Sequence, residues 1–314
     1  MGGLRVRFLP PSVAAVGLVL AIAGFVSIGA VGVERYARNY WLYRGFPPPS
    51  DPAYVVQQGR EERISVTSPA IGGRSQEILV YLPPGYDSNT QRRYPVLYLL
   101  HGFPGTPLAF MLTVRVGVVE DELFARHLAP PMILVMPFGS SGRFTDEEWA
   151  DGASPDEGWA TFVARDVVKA IDARYRTIPT GAGRAIGGLS EGGYGAINIA
   201  LHHPREFSVV ESWSGYERAA RNHSVFGRRL QLLARNSPLE YLPRVARAVR
   251  RARTYFWFYS GLDDRLRRQN RAFAAELEAA RIPHTYEELP GGHNWALWRG
   301  NAEPSLLAAA RRLG

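Results

Sequence analysis

The sequence predicts an α/β fold, with a mostly parallel twisted sheet, helices on both faces and one N-terminal transmembrane helix before it. Beyond residue 60, short β-prone apolar runs alternate with helix-compatible segments, a pattern typical of parallel sheets. Before residue 40, an uncharged run is long enough, at about 20 or more residues, to cross a bilayer. The predicted strands span 64–68, 77–82, 96–100, 133–136, 185–188, 208–213, 255–260 and 285–289, and the predicted helices span 161–175, 194–202, 269–280 and 304–313.

The chain is large enough for one catalytic domain after this helix. Its 314 residues are 46% apolar, and the portion after residue 60, about 250 residues, is near the upper size of a single core. We therefore expect three segments. These are an N-terminal anchor over residues 1–40, a linker over 41–60 that contains three consecutive prolines, and a catalytic domain over 61–314.

The N-terminal run carries no charged residue from Phe8 to Val33, and Arg5 and Arg7 precede it. By the positive-inside rule, the short N-terminus stays in the cytoplasm and the catalytic domain lies outside, at the cell envelope. A cleaved signal peptide is the alternative, because the segment 21–23 offers a small-x-small cleavage site, and the enzyme would then be secreted. Apolar residues continue about ten positions beyond that site, which favours an uncleaved signal anchor.

Gly188, Ser190 and Gly192 form a Gly-x-Ser-x-Gly segment between an apolar run and a helix-compatible run. In a nucleophile elbow the serine adopts a strained turn, and flanking glycines are needed because Cβ atoms would collide with neighbouring backbone. The helix that follows directs its positive N-terminal end at the site, where it stabilises negative charge on a substrate oxygen. The motif alone is equally compatible with a tight structural turn. The candidate acid and base that follow it in the chain favour Ser190 as the nucleophile.

An acid and a base follow this serine in the required order of Ser, Asp or Glu, then His. The β-prone run that ends at Ser260 leads into Asp263 and Asp264, so either carboxylate lies where a strand meets its loop. A later β-prone run leads into a Gly-rich loop with His293. His284 is the other histidine after the aspartates, and it lies at the strand end remote from the loops that carry catalysis. His293 is therefore the predicted base.

The loop after the third predicted strand begins His101-Gly102-Phe103 and continues Pro-Gly. Such a loop turns a backbone N–H inward, so the N–H groups of Phe103 and Glu191 are predicted to face the developing oxyanion. The His101 ring precedes the nucleophile and is predicted to brace the loop rather than to act as the base. His101 and Gly102 are also expected at the substrate-binding site.

Seven ordered motifs extend this pattern over about residues 60–314: His101-Gly-Phe-Pro-Gly, Met136-Pro, Arg184-Ala-Ile-Gly-Gly-Leu-Ser-Glu-Gly-Gly-Tyr-Gly-Ala, His203-Pro, Ser214-Gly, Gly261-x-x-Asp and Pro290-Gly-Gly-His-Asn-Trp. Together they resemble an esterase family of α/β-hydrolases. That family includes esterase D, bacterial feruloyl esterases, siderophore esterases and, more distantly, mycolyltransferases. The resemblance implies an α/β-hydrolase fold and serine carboxylesterase activity on lipid, acyl or aryl esters, with no cofactor.

The resemblance also assigns the acid to the aspartate of Gly-x-x-Asp, Asp264, with Asp263 in reserve. Relatives often carry an apolar residue where this chain has Glu191, whose carboxylate would oppose an anionic intermediate, so we expect it to point outward. The similarity to mycolyltransferases keeps an acyltransferase as the alternative function, because transfer to a sugar or lipid hydroxyl uses the same machinery. A binding protein on a hydrolase scaffold is disfavoured by the complete Ser, Asp, His set.

Composition excludes several classes of site. The chain has no cysteine, which excludes disulfides and thiol catalysis, and no Cys/His cluster for a metal. Its net charge of +8 comes almost wholly from arginine, and without a recognition motif we expect no nucleic-acid binding. Ten arginines lie between Arg218 and Arg253, in an insertion over 216–253 that is predicted to overhang the site as a lid. They fit a solvated helical face, or contact with anionic lipid headgroups or an acidic substrate.

Tryptophans flank the predicted site. Trp149 lies in a Gly- and acid-rich segment after the fourth predicted strand, and Trp295 lies two residues after the predicted base. Loop tryptophans near a catalytic centre line acyl or aromatic pockets, so both are predicted to contact substrate. Trp298 is expected in the core.

Overall fold

The computed structural model describes residues 13–142, 145–220 and 222–313. The chain divides into two compact units, Met1–Pro47 and Pro48–Gly314. The catalytic residues predicted from the sequence all belong to the second unit.

Helix α1 of the first unit spans Val13–Tyr43. Its segment Ala15–Tyr43 is long and apolar enough to cross a bilayer, with a mean hydropathy of 2.4 in its most apolar window. This result rests only on the length and the composition of the helix. Arg5, Arg7 and residues 8–12 of the predicted anchor lie outside the described residues.

The predicted linker over residues 41–60 is not a separate segment. Helix α1 continues to Tyr43, and the second unit begins shortly after it. Val55 is buried, and the Gly59 N–H donates to Asp121 Oδ1 at 3.0 Å. This burial and this hydrogen bond hold the residues before the first strand in the second unit.

An eight-stranded sheet forms the centre of the second unit. Its strands are β1 (Arg60–Ser68), β2 (Arg74–Leu82), β3 (Val96–Leu100), β4 (Ile133–Pro137), β5 (Arg184–Gly188), β6 (Val209–Trp213), β7 (Tyr255–Gly261) and β8 (His284–Leu289). Their spatial order is β1-β2-β4-β3-β5-β6-β7-β8. Strand β2 is antiparallel to both neighbours, and every pair from β4 to β8 is parallel. All eight predicted strands are present, so the mostly parallel sheet is confirmed.

The helices of the second unit are α2 (Val116–Ala125), α3 (Trp159–Thr161), α4 (Val168–Arg174), α5 (Glu191–His202), α6 (His223–Phe226), α7 (Leu230–Arg235), α8 (Pro238–Ala252), α9 (Arg267–Ala279), α10 (Trp295–Gly300) and α11 (Ala302–Ala310). A wider helical stretch, Phe162–Val167, joins α3 to α4. Successive strand residues point to opposite faces, so the sheet has two cores. One contains residues of α3 to α5, α8 and α9, and the other contains residues of α2, α10 and α11.

The insertion over residues 216–253 is only partly the predicted lid. Helix α8 packs Tyr241, Leu242 and Val249 into one of the two main cores. Strands β6 and β7 are parallel neighbours, so the chain between them must cross one face of the sheet, usually as a helix. Helix α8 is that helix. The segment before α8 forms a smaller cluster that includes Phe226. The described residues that remain for the predicted lid are therefore 216–220 and 222–237.

The parallel strands place the predicted site residues at one edge of the sheet. Strands β3, β5, β7 and β8 all run in the same direction, so the loops that follow them leave the sheet at the same edge. These loops carry the oxyanion segment, the serine, the aspartates and the histidine, in that order.

Candidate active site

Ser190 lies at the sharp turn between β5 and α5. Its backbone has φ 55° and ψ −119°, a conformation that residues with a side chain rarely adopt. The flanking glycines make this turn possible. A Cβ on Gly192 would lie 1.8 Å from the carbonyl oxygen of Leu100, and a Cβ on Gly188 would lie 2.5 Å from the same oxygen. The geometry favours a nucleophile elbow over an ordinary tight turn.

Ser190, His293 and Asp264 form one hydrogen-bonded line. Ser190 Oγ lies 2.8 Å from His293 Nε2, and His293 Nδ1 lies 2.9 Å from Asp264 Oδ2. Because a carboxylate only accepts hydrogen bonds, the Nδ1–H donates to Asp264, which leaves Nε2 free to accept the serine proton. The structure thus brings together the three residues that the sequence predicts for catalysis.

Asp264, rather than Asp263, contacts the histidine. The Asp264 side chain is fully buried, whereas Asp263 is exposed. Asp264 Oδ1 also accepts the Leu266 N–H at 2.8 Å. Burial alone would raise the pKa of Asp264, but the hydrogen bonds from His293 and Leu266 outweigh it and hold the pKa below its ordinary value. Asp264 is therefore ionised at neutral pH, the state that orients the histidine.

Phe103 and Glu191 offer two backbone N–H groups that donate to no acceptor in the described part of the chain. Glu191 is the first residue of α5, where an N–H has no partner within the helix. Phe103 lies in the loop after β3, and a Cβ on the preceding Gly102 would lie 3.1 Å from Ser190 Cβ. This close approach places the loop beside Ser190, and the N–H groups of Phe103 and Glu191 stay the predicted oxyanion donors. Gly102 is buried beside the Ser190 side chain, and its contact with substrate stays a prediction.

His101 braces this loop from inside the protein. Its ring is buried, with the Nδ1–H donating to Gly102 O at 3.0 Å and Nε2 accepting the Gly139 N–H at 3.1 Å. Burial lowers the pKa of His101 to about 4, so the ring is neutral at neutral pH. These bonds fit the predicted bracing role. The predicted substrate contact is wrong for His101, because the ring does not reach the surface.

Trp149 is buried and does not line the predicted substrate pocket. It is 1% exposed, its indole N–H donates to His101 O at 2.9 Å, and its ring packs edge-on against the His101 ring. A Cβ on Gly195 would lie 2.4 Å from Trp149 Cβ, so α5 packs directly on this side chain. Trp149 therefore supports the buried side of the loop after β3 and does not line a pocket.

Trp298 supports the predicted base, a role that the sequence analysis missed. The His293 ring packs edge-on against Trp298 with ring centroids 5.1 Å apart, and Trp298 contacts Trp295 at 5.0 Å. Trp298 is buried in the core, as expected. Asn294 accepts the Leu297 N–H at 3.1 Å, which caps α10 and fixes the turn next to His293. Trp295 is partly buried beside the base and stays the predicted pocket-wall residue.

The Glu191 side chain points into the protein, which corrects the expectation that it points outward. It is 5% exposed and lies near Asp146, Glu147 and Glu148. Burial, reinforced by these neighbouring carboxyls, raises the pKa of Glu191 well above its ordinary value and favours the uncharged acid. An uncharged carboxyl does not oppose an anionic intermediate, so this departure from the family pattern is compatible with the proposed oxyanion hole.

The mouth of the site is open and has apolar edges. Phe103 and Leu262 are each 43% exposed, and the His293 side chain is 31% exposed. Within the described ranges, no group of three or more His, Asp or Glu side chains is placed to hold a metal ion. The hydrogen-bonded line from Ser190 to Asp264 can support nucleophilic acyl chemistry on a substrate that reaches it from solvent.

A family model described as "Putative esterase" matches residues 68–309. The chain belongs to this esterase family. Esterase Rv1288 of Mycobacterium tuberculosis (strain H37Rv) is 29% identical over 250 residues, which cover 70% of this chain and 53% of that protein. The diacylglycerol acyltransferase/mycolyltransferase Ag85A of Mycobacterium leprae is 28% identical over 159 residues, 49% of this chain and 43% of that protein. The chain thus spans about half the length of these mycobacterial members.

A solved ferulic acid esterase is similar in structure to this family member. The two align with a TM-score of 0.72 and 26% identity, over 82% of this chain and 100% of that one. This similarity, together with the observed strand order, confirms the α/β-hydrolase fold that the motifs imply.

Proposed function

We propose that this chain is a serine carboxylesterase that cleaves carboxylic esters through an acyl-enzyme on Ser190. The observation that carries the proposal is the hydrogen-bonded line from Ser190 through His293 to Asp264, with distances of 2.8 and 2.9 Å. Membership of an esterase family supports it. The proposed substrates are lipid, acyl or aryl esters.

In acylation, His293 Nε2 takes the proton of Ser190 while the serine Oγ attacks the ester carbonyl carbon. The carbonyl oxygen becomes an oxyanion, which the N–H groups of Phe103 and Glu191 stabilise. Asp264 holds the ring in one tautomer and stabilises the imidazolium. The imidazolium then gives its proton to the departing alkoxide, which leaves as the alcohol, and the acyl group stays on the serine.

In deacylation, a second hydroxyl compound attacks the acyl-enzyme with His293 again acting as the base. The side chain is 31% exposed, so the base is open to water from solvent. Water releases the free acid and restores Ser190. A sugar or lipid hydroxyl would instead receive the acyl group, which is the alternative function and is supported by the similarity to a mycolyltransferase.

Hydrolysis should exceed transfer when the purified protein is given acyl and aryl esters with and without trehalose or glycerol. Because the base is open to water, we expect the same amount of free acid in both conditions, measured by chromatography of the products. Acylated trehalose or glycerol formed at the expense of free acid would establish an acyltransferase. Neither product from any ester would contradict both functions.

Turnover should fall at alkaline pH as Glu148 loses its proton. Burial, partly offset by the 2.6 Å hydrogen bond from Tyr216, raises the pKa of Glu148 to about 7. Below that pH the carboxyl is neutral, and above it a negative charge appears near Glu191, whose N–H is proposed to stabilise the oxyanion. We expect kcat to drop about three- to tenfold across this titration, the effect of one screened charge worth about 1 kcal/mol.

The matched variants separate this effect from ordinary alkaline inactivation. Glu148→Gln keeps an acceptor for Tyr216 and cannot ionise, so its alkaline decline should be absent. Glu278→Gln changes an exposed acid on α9 and should keep the decline of the unaltered chain. Profiles of kcat between about pH 6 and about pH 9 that coincide for Glu148→Gln and the unaltered chain would contradict the assignment.

We also propose that α1 is an uncleaved signal anchor that holds the catalytic unit outside the cell membrane. The apolar segment Ala15–Tyr43 and the preceding arginines, Arg5 and Arg7, support this proposal. The alternative is a signal peptide whose cleavage releases the enzyme into the medium.

The whole chain should stay in the membrane pellet after carbonate or high-salt extraction, because burial of about 20 apolar residues in lipid is effectively irreversible. Protease added outside the cell membrane should digest the catalytic unit. Removal of residues 1–40 should leave a soluble enzyme with nearly unchanged turnover on small esters, since the triad and the oxyanion loop lie beyond residue 100. A mature N-terminus near residue 24, with activity in the medium, would contradict the anchor.

A further inference from the structure

A groove in the lid segment is separate from the catalytic line. Its volume is about 300 Å³, and Phe226, Leu230 and Leu233 line it together with Arg228 and Arg229. Phe226 is 1% exposed and belongs to the small cluster under the lid, whereas Leu230 is 74% exposed. The groove therefore combines an apolar lining with two guanidinium groups and a large apolar side chain open to solvent.

The insertion that contains the groove is strongly basic. Seven exposed arginines of the insertion form no ion pair and no side-chain hydrogen bond with any described residue: Arg228, Arg229, Arg235, Arg244, Arg247, Arg251 and Arg253. The acids of the insertion do not neutralise them. Glu217 is fully buried, and Glu240 is paired with Arg218 at 2.8 Å. This positive charge is uncompensated along the described insertion.

Helix α8 separates its charges from its apolar residues. Leu242 and Val249 are buried in the core, while Arg244, Arg247 and Arg251 are exposed at spacings of three and four residues. Residues at this spacing lie on one face of a helix. The fold therefore uses the apolar face of α8 internally and leaves the arginine face exposed to solvent.

We propose that the groove with Arg228, Arg229 and Leu230, which we call the lid surface, docks on an anionic lipid bilayer. Phospholipid phosphates accept hydrogen bonds from the guanidinium groups. Leu230 and the apolar lining contact the ends of the acyl chains just below the headgroups. Each arginine near an anionic membrane strengthens attachment about fivefold, so Arg228 and Arg229 together exceed one isolated contact. This inference concerns membrane contact by the catalytic unit itself and does not depend on ester hydrolysis.

The test measures amide hydrogen exchange over residues 223–237 in the whole chain. The protein is reconstituted in nanodiscs of phosphatidylcholine alone or of phosphatidylcholine with phosphatidylglycerol. We expect about tenfold slower exchange over this segment in the anionic discs only, because a docked lid opens less often. High salt should reverse the protection by screening the arginines.

Three variants assign the protection to the lid surface. Arg228→Gln with Arg229→Gln should remove most of it, since two arginines together contribute about thirtyfold. Leu230→Ser should weaken it through the lost apolar contact. The control pair, Arg165→Gln with Arg205→Gln, removes the same charge from exposed positions outside the insertion and should keep the protection.

Equal exchange in the neutral and anionic discs would overturn the proposal. So would equal loss of protection in the control pair, since the effect would then come from net charge alone. Dextran sulfate is a soluble polyanion that can be added to the neutral discs. If it slowed amide exchange over residues 223–237 as much as phosphatidylglycerol does, the surface would be assigned to a soluble polyanion instead. These results do not involve an ester, so they are independent of the proposed esterase activity.

Discussion

Ser190→Ala should reduce ester turnover by as much as about a millionfold, the scale observed when a triad nucleophile is lost. The hydroxyl that His293 Nε2 contacts at 2.8 Å is the atom proposed to carry the acyl group, and alanine has none. The measurements are kcat on a soluble ester and labelling by a fluorophosphonate probe. The unaltered chain should take up one probe molecule per chain, and Ser190→Ala should take up none.

A matched variant shows whether the loss is specific to the elbow. Ser88→Ala removes a hydroxyl from an exposed serine remote from the triad in the sequence, and it should keep both labelling and turnover. Ester hydrolysis by purified Ser190→Ala at the rate of the unaltered chain would end the hypothesis that this residue is the nucleophile.

Asp264→Asn should lower turnover by about ten-thousandfold with little change in structure. The present carboxylate accepts the His293 Nδ1–H at 2.9 Å, which leaves Nε2 free to take a proton. An asparagine amide that donates to Nδ1 shifts the proton to Nε2, so the imidazole cannot accept the proton of Ser190. Steady-state kinetics on a soluble ester measure the loss.

The neighbouring aspartate provides the control for this change. Asp263→Asn removes the same charge one residue away, but Asp263 is exposed, and its loss should reduce turnover only mildly. The opposite ranking of the two variants would transfer the role of the acid to Asp263.

The strands and the catalytic line were predictable because their signals are local. Strand β3 and its parallel neighbours are buried on both faces, which gives continuous apolar runs between turn residues. The Gly-x-Ser-x-Gly segment then indicated Ser190, and the rule that catalytic loops follow parallel strands favoured His293 over His284. The residues alone left Asp263 and Asp264 as alternatives, and the family resemblance favoured Asp264. The structure brings Asp264 to the histidine, and its catalytic role stays a prediction.

Side-chain direction in the loops was not predictable in the same way. Trp149 is drawn inward by the carbonyl of His101 and by close packing against Gly195, two partners about fifty residues away on either side. Nothing next to Trp149 in the sequence indicates either contact. The same holds for Glu191, whose burial depends on the loop containing Glu148.

The buried face of α8 was not predicted, although the arginines of the insertion fit an exposed helical face. Leu242, Ala246 and Val249 recur at helical spacing between those arginines, which indicates a second, core-facing side. Two parallel strands that are consecutive in the chain and adjacent in the sheet need a long crossover, usually a helix, so topology gives the better signal here.

The contact between Ser190 and His293 joins residues 103 positions apart in the chain. The proposed nucleophile, Ser190, is synthesised with β5, but the proposed base, His293, follows only in the loop after β8. A chain that stops short of that loop, or has not yet placed it, has the serine without its histidine partner. On the proposed mechanism, Ser190 therefore becomes reactive only when the sheet is complete. For the experimenter, covalent labelling of the serine counts fully assembled molecules rather than total protein.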